Sequence, residues 1–346
     1  MDKINKSEIN SIFKLVSRNF SNLGKIEKLE KFKSNGHNSI IFSFKVGNKK
    51  FLVKFLKNPN LIYGHNKGSE RIKIITNIIS NLSKSFPLEK FVSNKFGKLT
   101  IKFNDGIIRV TEFIENRNIK GNNFLKSVNF LNKIHNQFWY ELKTKEKENL
   151  NSLIVPYELD YTFRKIKLIE EFLISQANID QGLINKNHIK IILDNFELLN
   201  YWAKKLNLLK DKKFFHLKSF THNDYHPSNI IFDKDKRLYL LDFDNIQYSK
   251  IFRCLFFFLL RHSTNQKKLS ESLLKQNYKI LESNYFTKIP NFENAIFYLM
   301  YIEIEKIFKI LCRVSEKKGL TFFINNIISV HLPNVLFLIK LNQKQA

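Results

Sequence analysis

The sequence predicts an α+β fold with a smaller, N-terminal antiparallel sheet lobe that includes one helix and a larger, mostly helical C-terminal lobe. Short runs of alternating apolar residues, separated by turn residues, fill the first third of the chain. From residue 122 onward, apolar residues recur at helical spacing instead. We place the boundary near residues 115–118 and expect two domains, residues 1–116 and residues 117–346.

The N-terminal elements follow from their apolar spacing. Residues 1–24 contain an amphipathic helix, and residues 25–32, 39–46 and 50–56 are expected strands. A second helix opens with Ser69 as its N-cap and Glu70 in its first turn. Residues 90–114 predict further strands around a hairpin turn at residues 103–106.

Helices account for most of the remaining chain. The predicted helices cover residues 124–138, 157–174, 189–206, 251–261, 268–282, 293–312 and 322–341.

Composition limits the function classes. The formal net charge is +27, which raises nucleic acid as a partner. The lysines are nevertheless scattered through every segment, which favours a dispersed surface charge and no specific nucleic-acid partner. Cys254 and Cys312 form no Cys-x-x-Cys pair, so neither a zinc site nor a disulfide framework is indicated.

No segment predicts a membrane location. Residues 1–11 lack the apolar core of a signal peptide. The most apolar run, residues 251–260, is too short to cross a bilayer. We expect a cytoplasmic protein without a membrane anchor, and the sequence leaves its oligomeric state unknown.

The strongest functional signal is a cluster of oxygen-bearing side chains around a short hairpin. Asp224 and Asn229 precede the two apolar runs of the hairpin, and Asp242-Phe243-Asp244 follows them. Carboxylate and amide oxygens are the ligands that Mg²⁺ prefers, together with water and phosphate. The spacing therefore predicts a magnesium site.

Two upstream residues fit a phosphate-binding role only in combination with this cluster. Lys54 lies in an alternating strand, where a lysine is usually the solvent-facing residue. Glu70 has two interpretations: it complements the helix dipole, or it pairs with Lys54. The loop at residues 34–38 holds a single Gly, so a plain hairpin turn is favoured over a phosphate-covering loop.

His222-x-Asp224-x-x-x-x-Asn229 followed by Asp242-Phe243-Asp244 resembles the aminoglycoside phosphotransferase and choline kinase family, which shares the protein-kinase-like fold. The resemblance runs from about residue 25 to about residue 260. It implies a two-lobed kinase-like architecture and an enzyme that uses ATP and Mg²⁺.

The resemblance assigns a role to each matching residue. Asp224 would be the catalytic base, and His222 would brace the catalytic loop, with direct proton transfer as the alternative. Lys54 would bind nucleotide phosphates and Glu70 would pair with it. The remaining roles are magnesium binding by Asn229, Asp242 and, as an accessory acid, Asp244, and adenine contact by the backbone at Glu112, Phe113 and Ile114.

Departures from protein kinases narrow the substrate class. Asn223 replaces the usual Arg, Asp244 replaces the usual Gly, and no Ala-Pro-Glu segment follows. These differences favour a small-molecule hydroxyl acceptor, such as an amino alcohol, amino acid, sugar or antibiotic, and the basic chain disfavours a polycationic aminoglycoside. Cys254 stands where the family's loop-bracing Asp is expected, so a nucleotide-binding pseudokinase is the alternative function.

Overall fold

A computed structural model describes residues 5–32, 39–59, 68–115, 123–152, 165–178, 185–207, 217–265, 268–316 and 322–344. They belong to two compact units. The first consists of Met1–Gly121, Gln137–Leu153 and Ser228–Gln247, and the second of Asn122–Asn136, Ile154–Pro227 and Tyr248–Ala346. The predicted single boundary at residue 116 stays a prediction. The segment that carries Asp242 packs with the N-terminal unit rather than with its sequence neighbours.

The first unit is built on a five-stranded antiparallel sheet with the order β1–β2–β3–β5–β4. The strands are β1 (Glu30–Lys31), β2 (Ile40–Val46), β3 (Lys49–Leu56), β4 (Thr100–Phe103) and β5 (Gly106–Glu112). Helix α1 (Lys6–Asn19) packs the buried Ile12 and Val16 into the same apolar core as β2, β3 and β5. The first predicted strand, residues 25–32, is reduced to the two residues that pair with β2.

Helix α2 (Gly68–Leu82) confirms the predicted helix but not its cap. Ser69 lies inside the first turn rather than before it, and Glu70 is exposed. The next residue, Arg71, is buried and donates from Nη2 to the carbonyl oxygen of Ile246 at 2.7 Å. This helix therefore anchors the segment that follows the Asp-Phe-Asp motif.

Residues 87–92 join the large sheet to the hairpin of β7 (Ile230–Phe232) and β8 (Leu238–Leu240). On one side the N–H of Val92 donates to Val110 of β5 at 2.9 Å. On the other side the N–H of Glu89 donates to Leu240 of β8 at 3.1 Å. Glu89 is therefore held within the same unit as both strands. The turn predicted at residues 103–106 is confirmed, with Asn104 in the left-handed region.

The second unit is mostly helical. Its main helices are α3 (Phe124–Lys133), α5 (Ile166–Ala177), α6 (Lys186–Asp194), α7 (Phe196–Asn207), α8 (Ile251–His262), α9 (Glu271–Asn284), α10 (Phe292–Glu316), α11 (Phe322–Asn326) and α12 (Leu332–Gln343), whereas α4 (Thr144–Ser152) belongs to the first unit. Strand β6 (Lys218–Thr221) pairs with β9 (Gln247–Lys250).

Two of the predicted helices are interrupted in the structure. The helix predicted over residues 124–138 changes into a π-helical turn at Ile134–Phe138. The one predicted over residues 189–206 divides at Asn195, where α6 ends. Among the described residues one helical stretch, Ile324–Gln343, is long and apolar enough to cross a membrane, and half of it is buried inside the protein.

Candidate active site

Two cations oppose each other across the central strands of the sheet. Lys54 of β3 and Arg109 of β5 are direct register partners, and the Arg109 side chain is buried. Like charges in directly opposed positions destabilise a sheet, and a buried unpaired charge costs still more. The fold therefore needs carboxylates at this point.

The Asp-Phe-Asp motif supplies those carboxylates. Lys54 Nζ donates to Asp242 Oδ1 and to Asp244 Oδ2, each at 2.7 Å. Arg109 Nη2 donates to the other oxygen of Asp244. Burial raises the pKa of Asp244, but the Arg109 and Lys54 charges outweigh this effect and hold the carboxyl well below its usual range. Asp244 is therefore ionised at neutral pH.

Glu89 is a third carboxylate in this cluster. It is 9% exposed, and its Oε1 accepts from the N–H of Phe243 at 3.4 Å. Burial raises the pKa of Glu89 to about 7, although Arg109 and Lys54 lower it. We call Lys54, Glu89, Arg109, Asp242 and Asp244 the ion cluster. Its two cations face three carboxyl groups, one of which, Glu89, titrates near neutrality, so its charge is nearly balanced.

The two aspartates of the motif differ in whether a carboxylate oxygen remains available to a metal ion. Asp244 is buried, and both of its oxygens are occupied by Lys54 and Arg109. Asp242 is 40% exposed, and its Oδ2 makes no hydrogen bond or ion pair with any described residue. Asp242 thus fits a metal-ligand role, whereas Asp244 is occupied as the counter-charge of Arg109. The expectation that Asp244 is an accessory acid at the metal site stays a prediction.

The backbone of the hairpin holds Asn229 next to the residue that precedes Asp242. Ile230 of β7 pairs with Leu240 of β8, and the N–H of Leu241 donates to Asn229 O at 2.9 Å. Asp242 therefore follows directly on the residue that is bonded to Asn229. Its φ of 62° is a left-handed conformation that costs a non-glycine residue energy. Such strain is concentrated at functional sites.

Carboxylate and amide oxygens at the end of this hairpin match the donor chemistry of Mg²⁺. Among the described residues no group of three His, Cys, Asp or Glu side chains is arranged to hold a metal ion. A complete cage is not required, because Mg²⁺ retains waters and shares phosphate oxygens when it is bound through one or two carboxylates. Asn229 and Asp242 therefore fit the predicted ion.

The predicted pair between Lys54 and Glu70 is not formed. Glu70 is exposed at the start of α2, and within the described ranges its carboxylate makes no ion pair with Lys54. Lys54 instead binds the two aspartates of the motif. Glu89 is the glutamate whose charge acts on Lys54. This correction leaves Glu70 with the alternative role of complementing the helix dipole.

The predicted adenine-contacting backbone lies at the end of β5. The N–H of Glu112 donates to Lys90 and the N–H of Phe113 donates to Lys50, at 2.9 and 3.0 Å. The backbone of Ile114, in contrast, makes no hydrogen bond with another described residue. Its N–H is therefore available to a ligand, and the adenine role of residues 112–114 stays a prediction.

The predicted catalytic loop follows β6 in the second unit. His222 is fully buried, and its Nδ1 accepts from the N–H of Asp224 at 3.3 Å, which favours the loop-bracing role over proton transfer. Asn223 has a φ of 59°, a left-handed conformation that Asn tolerates better than most residues. These features fix the backbone on both sides of the Asp224 side chain.

Asp224 itself is about one-third exposed and faces a histidine. Its Oδ1 lies 3.6 Å from His226 Nε2, which is an electrostatic contact rather than a normal hydrogen bond. Burial raises the pKa of Asp224, but His226, His222 and Lys306 together lower it below its ordinary value. An ionised, accessible carboxylate is suited to accept a proton.

Cys254 of α8, at the position where the resemblance expects a loop-bracing Asp, packs against the backbone of the predicted catalytic loop. It is buried, and the backbone N–H groups of His222 and Asn223 act on its sulfur. Burial dominates, however, and raises the pKa of the Cys254 thiol to about 11. A neutral thiol is a weak hydrogen-bond acceptor, so the loop is braced here without the negative charge of an Asp.

Comparisons with known proteins bear on this motif. Residues 181–252 match the family model of the phosphotransferase enzyme family. That stretch contains the complete motif from His222 to Asp244, so the predicted resemblance is confirmed over the residues that carry it. No curated protein sequence matches the chain.

Solved structures resemble nearly the whole chain. A spectinomycin phosphotransferase in complex with ADP and spectinomycin has a TM-score of 0.67 at 14% identity, covering 96% of this chain and 98% of that one. Plasmodium vivax ethanolamine kinase gives 0.62 at 14%, covering 96% and 89%. Choline kinase LicA from Streptococcus pneumoniae gives 0.57 at 15%, covering 95% and 99%. These likenesses confirm the predicted kinase-like fold.

Two members of the ion cluster, Arg109 and Glu89, were not predicted from the sequence. Arg109 interrupts the apolar run of β5, and an Arg in such a run is a signal that could have been used. Glu89 lies in a segment without periodicity. Its position depends on bonds to two strands that are far apart in the sequence.

Proposed function

We propose that the protein is an ATP- and Mg²⁺-dependent phosphotransferase that transfers the γ-phosphate to a hydroxyl group of a small molecule. One observation carries the proposal. Lys54 and Asp242, which lie 188 positions apart in the sequence, form an ion pair at 2.7 Å. Phosphoryl transfer requires positioned cations and metal-binding carboxylates more than covalent chemistry, and these are the groups that the pair combines.

The first unit supplies the nucleotide-binding groups in this proposal. Lys54 would bind the α- and β-phosphates, exchanging part of its contact with Asp242 for phosphate oxygens. Arg109 and Asp244 would hold Lys54 in place, because they fix the carboxylate to which it remains bonded. The N–H of Ile114, which has no hydrogen-bond partner among the described residues, would donate to the adenine. Asn229 and Asp242 would hold Mg²⁺, which when bound neutralises charge on the phosphates.

The second unit supplies the group that acts on the acceptor. Asp224 would orient the acceptor hydroxyl and take its proton as the oxygen forms a bond to the γ-phosphorus. The bond between that phosphorus and the β–γ bridging oxygen breaks, and ADP leaves with the electron pair. His222 would keep the Asp224 backbone in position through the bond at 3.3 Å.

The test is direct detection of phosphate transfer. The full chain would be incubated with ATP, Mg²⁺ and panels of amino alcohols, amino acids, sugars and hydroxy acids, and ³¹P NMR would follow the γ-phosphate into a phosphomonoester. We expect a new ester resonance with at least one panel and none with Lys54→Met. Absence of any ester, or equal ester formation by Lys54→Met, contradicts the proposal.

A second candidate is nucleotide binding without turnover, which Cys254 favours. The neutral thiol braces the catalytic loop less strongly than a carboxylate would. This candidate predicts that the protein binds ATP with Mg²⁺ and yields neither ester nor free phosphate. Measuring nucleotide affinity beside the NMR assay separates the two functions. Both are compatible with a cytoplasmic protein that has no specific nucleic-acid partner and no membrane anchor, which we propose as its setting.

A further inference from the structure

A group of cations surrounds one aromatic ring near Asp224 in the second unit. Phe257 of α8 is almost completely buried. Lys306 Nζ of α10 lies 3.6 Å from the centroid of its ring, and Arg261 Cζ lies 5.1 Å from it. The ring of His226, which faces Asp224, lies 6.5 Å from the Phe257 ring in an edge arrangement.

Arg253, Glu303 and Glu305 of these two helices already have charged partners. Arg253 donates twice to Glu305, at 2.9 and 3.1 Å. Glu303, which is fully buried, contacts His331 Nδ1 at 2.5 Å. Lys306 and Arg261, in contrast, have no carboxylate within ion-pair distance among the described residues. Both lie against the Phe257 ring instead. We call Lys306 and Arg261 the cation pair.

The cation pair is half-buried and has no adjacent carboxylate among the described residues. Burial, together with the Arg261 charge, lowers the pKa of Lys306 to about 7, although Glu303 and Asp224 raise it. An uncompensated cation at this depth lacks the counter-charge that folded proteins normally supply. Perturbed, unpaired groups of this kind are typical of ligand-binding positions.

The cation pair also lies close to the group that would act on the acceptor. The Lys306 charge lowers the pKa of Asp224, and the Asp224 charge raises that of Lys306. A cationic acceptor would meet Lys306, Arg261 and His226 as it approached Asp224 and would be repelled if they were charged. Choline and ethanolamine are cations at neutral pH, so this region disfavours either of them as the acceptor.

We propose that the cation pair Lys306 and Arg261 binds an anionic group, a carboxylate or a phosphate, of the hydroxyl compound that is presented to Asp224. This inference rests on the proposed function, because it names the substrate class of the same site. The acceptor is then a hydroxy acid, a sugar acid or a phosphorylated alcohol. Arg261 offers planar paired donors, and Lys306 offers a point charge with three donors.

The test uses ligands that differ in charge and little else. Isothermal titration calorimetry on the full chain, saturated with AMP-PNP and Mg²⁺, would compare D-glycerate, glycerol and 3-amino-1,2-propanediol, with inorganic phosphate as a minimal anion. We expect glycerate and phosphate to bind at least about tenfold more tightly than the neutral and cationic diols. Lys306→Gln and Arg261→Gln should each weaken anion binding about tenfold.

Matched controls separate charge from folding. Lys279→Gln changes an exposed lysine of α9 and should leave anion binding unchanged. Lys306→Arg keeps the charge and should retain most of the affinity, which a purely structural role of the lysine would not predict. Thermal unfolding of each variant would show that the fold is intact.

Three results overturn the inference. They are no saturable anion binding at tens of millimolar ligand, unchanged anion affinity in both Gln variants, and equal or tighter binding of the aminodiol. Lys54→Met distinguishes this outcome from failure of the proposed function, since it should lose phosphate transfer and keep anion binding. Anion binding without any transfer by the wild-type chain would contradict the proposed function alone.

Discussion

The two units contain charged clusters of opposite character. In the ion cluster of the first unit, Lys54 and Arg109 are each bonded to carboxylates, and the charges nearly cancel. In the second unit, Lys306 and Arg261 lie against Phe257 without such partners. A compensated cluster provides a rigid frame for a ligand that brings its own metal ion. An uncompensated cluster such as the cation pair carries positive charge that an anionic ligand would neutralise.

The largest expected effect concerns Asp224. Asp224→Asn keeps the shape of the side chain but removes the proton acceptor, so we expect kcat to fall about 10³-fold. Nucleotide affinity should stay unchanged, because the nucleotide-binding groups belong to the other unit. Steady-state kinetics and calorimetry would measure both quantities. The control Asp235→Asn, in the exposed turn between β7 and β8, should be fully active; similar activity in the two variants would break the assignment.

Removing Arg109 should have the largest effect on stability. Arg109→Met leaves Asp244 buried without its guanidinium partner, and we expect the free energy of unfolding to fall by about 3–5 kcal/mol. Urea denaturation would measure the change. Arg237→Met, at an exposed arginine of the hairpin turn, serves as the matched control and should change the stability by less than about 0.5 kcal/mol. Equal losses would show that the ion cluster is not compensated as described.

Glu89 gives the ion cluster a pH dependence. Its folded pKa of about 7 lies above that of an ordinary Glu, so the folded state binds more protons between about pH 4.5 and 7. The Glu89 contribution is therefore fully present below that window and is lost as the pH rises through it. At pH 8, Glu89→Gln should be more stable than the wild type by about 3 kcal/mol, and at pH 4 about equal to it.

Urea denaturation at the two pH values would measure this difference. The control Glu141→Gln changes an exposed glutamate and should follow the wild type at both. A Glu89→Gln protein that gains nothing at pH 8 would show that Glu89 stays ionised and that the ion cluster carries a net negative charge.

Cys254 should have the smallest effect. Cys254→Ala removes the acceptor next to the N–H groups of His222 and Asn223, and we expect a several-fold lower kcat with little change in KM. Cys312→Ala, at the other buried cysteine, is the control for the loss of a buried sulfur and should leave kcat unchanged. Equal kcat values in both variants would remove the bracing role.

The sequence predicted the parts of the site that depend on local patterns. The hairpin and the cluster of Asp224, Asn229 and Asp242 around it follow from short-range spacing, whereas the role of Lys54 came from the family resemblance. It failed for the Lys54–Glu70 pair because Glu89 reaches the ion cluster only through the bonds of residues 87–92 to β5 and β8, which no local pattern reveals. It did not predict the contact of Asp244 with Arg109, because the opposed register of Lys54 and Arg109, which requires a second carboxylate, is a property of strand pairing.

The unpaired state of the cation pair was also invisible in the sequence. Fifty-eight Lys and Arg residues are distributed along the chain, and nothing local distinguishes Lys306 or Arg261 from the rest. The nearby carboxylates on α10 have other partners in the folded chain. Glu305 accepts from Arg253 of α8, and Glu303 contacts His331.

The most direct test of the account is the metal dependence of nucleotide binding at Asp242. Calorimetry would measure the affinity for AMP-PNP with and without Mg²⁺ in the wild type, in Asp242→Asn and in the control Asp235→Asn. We predict that Mg²⁺ tightens binding about tenfold or more in the wild type and the control, and that Asp242→Asn loses most of this gain. Nucleotide binding that ignores Mg²⁺, or an undiminished gain in Asp242→Asn, would contradict the account.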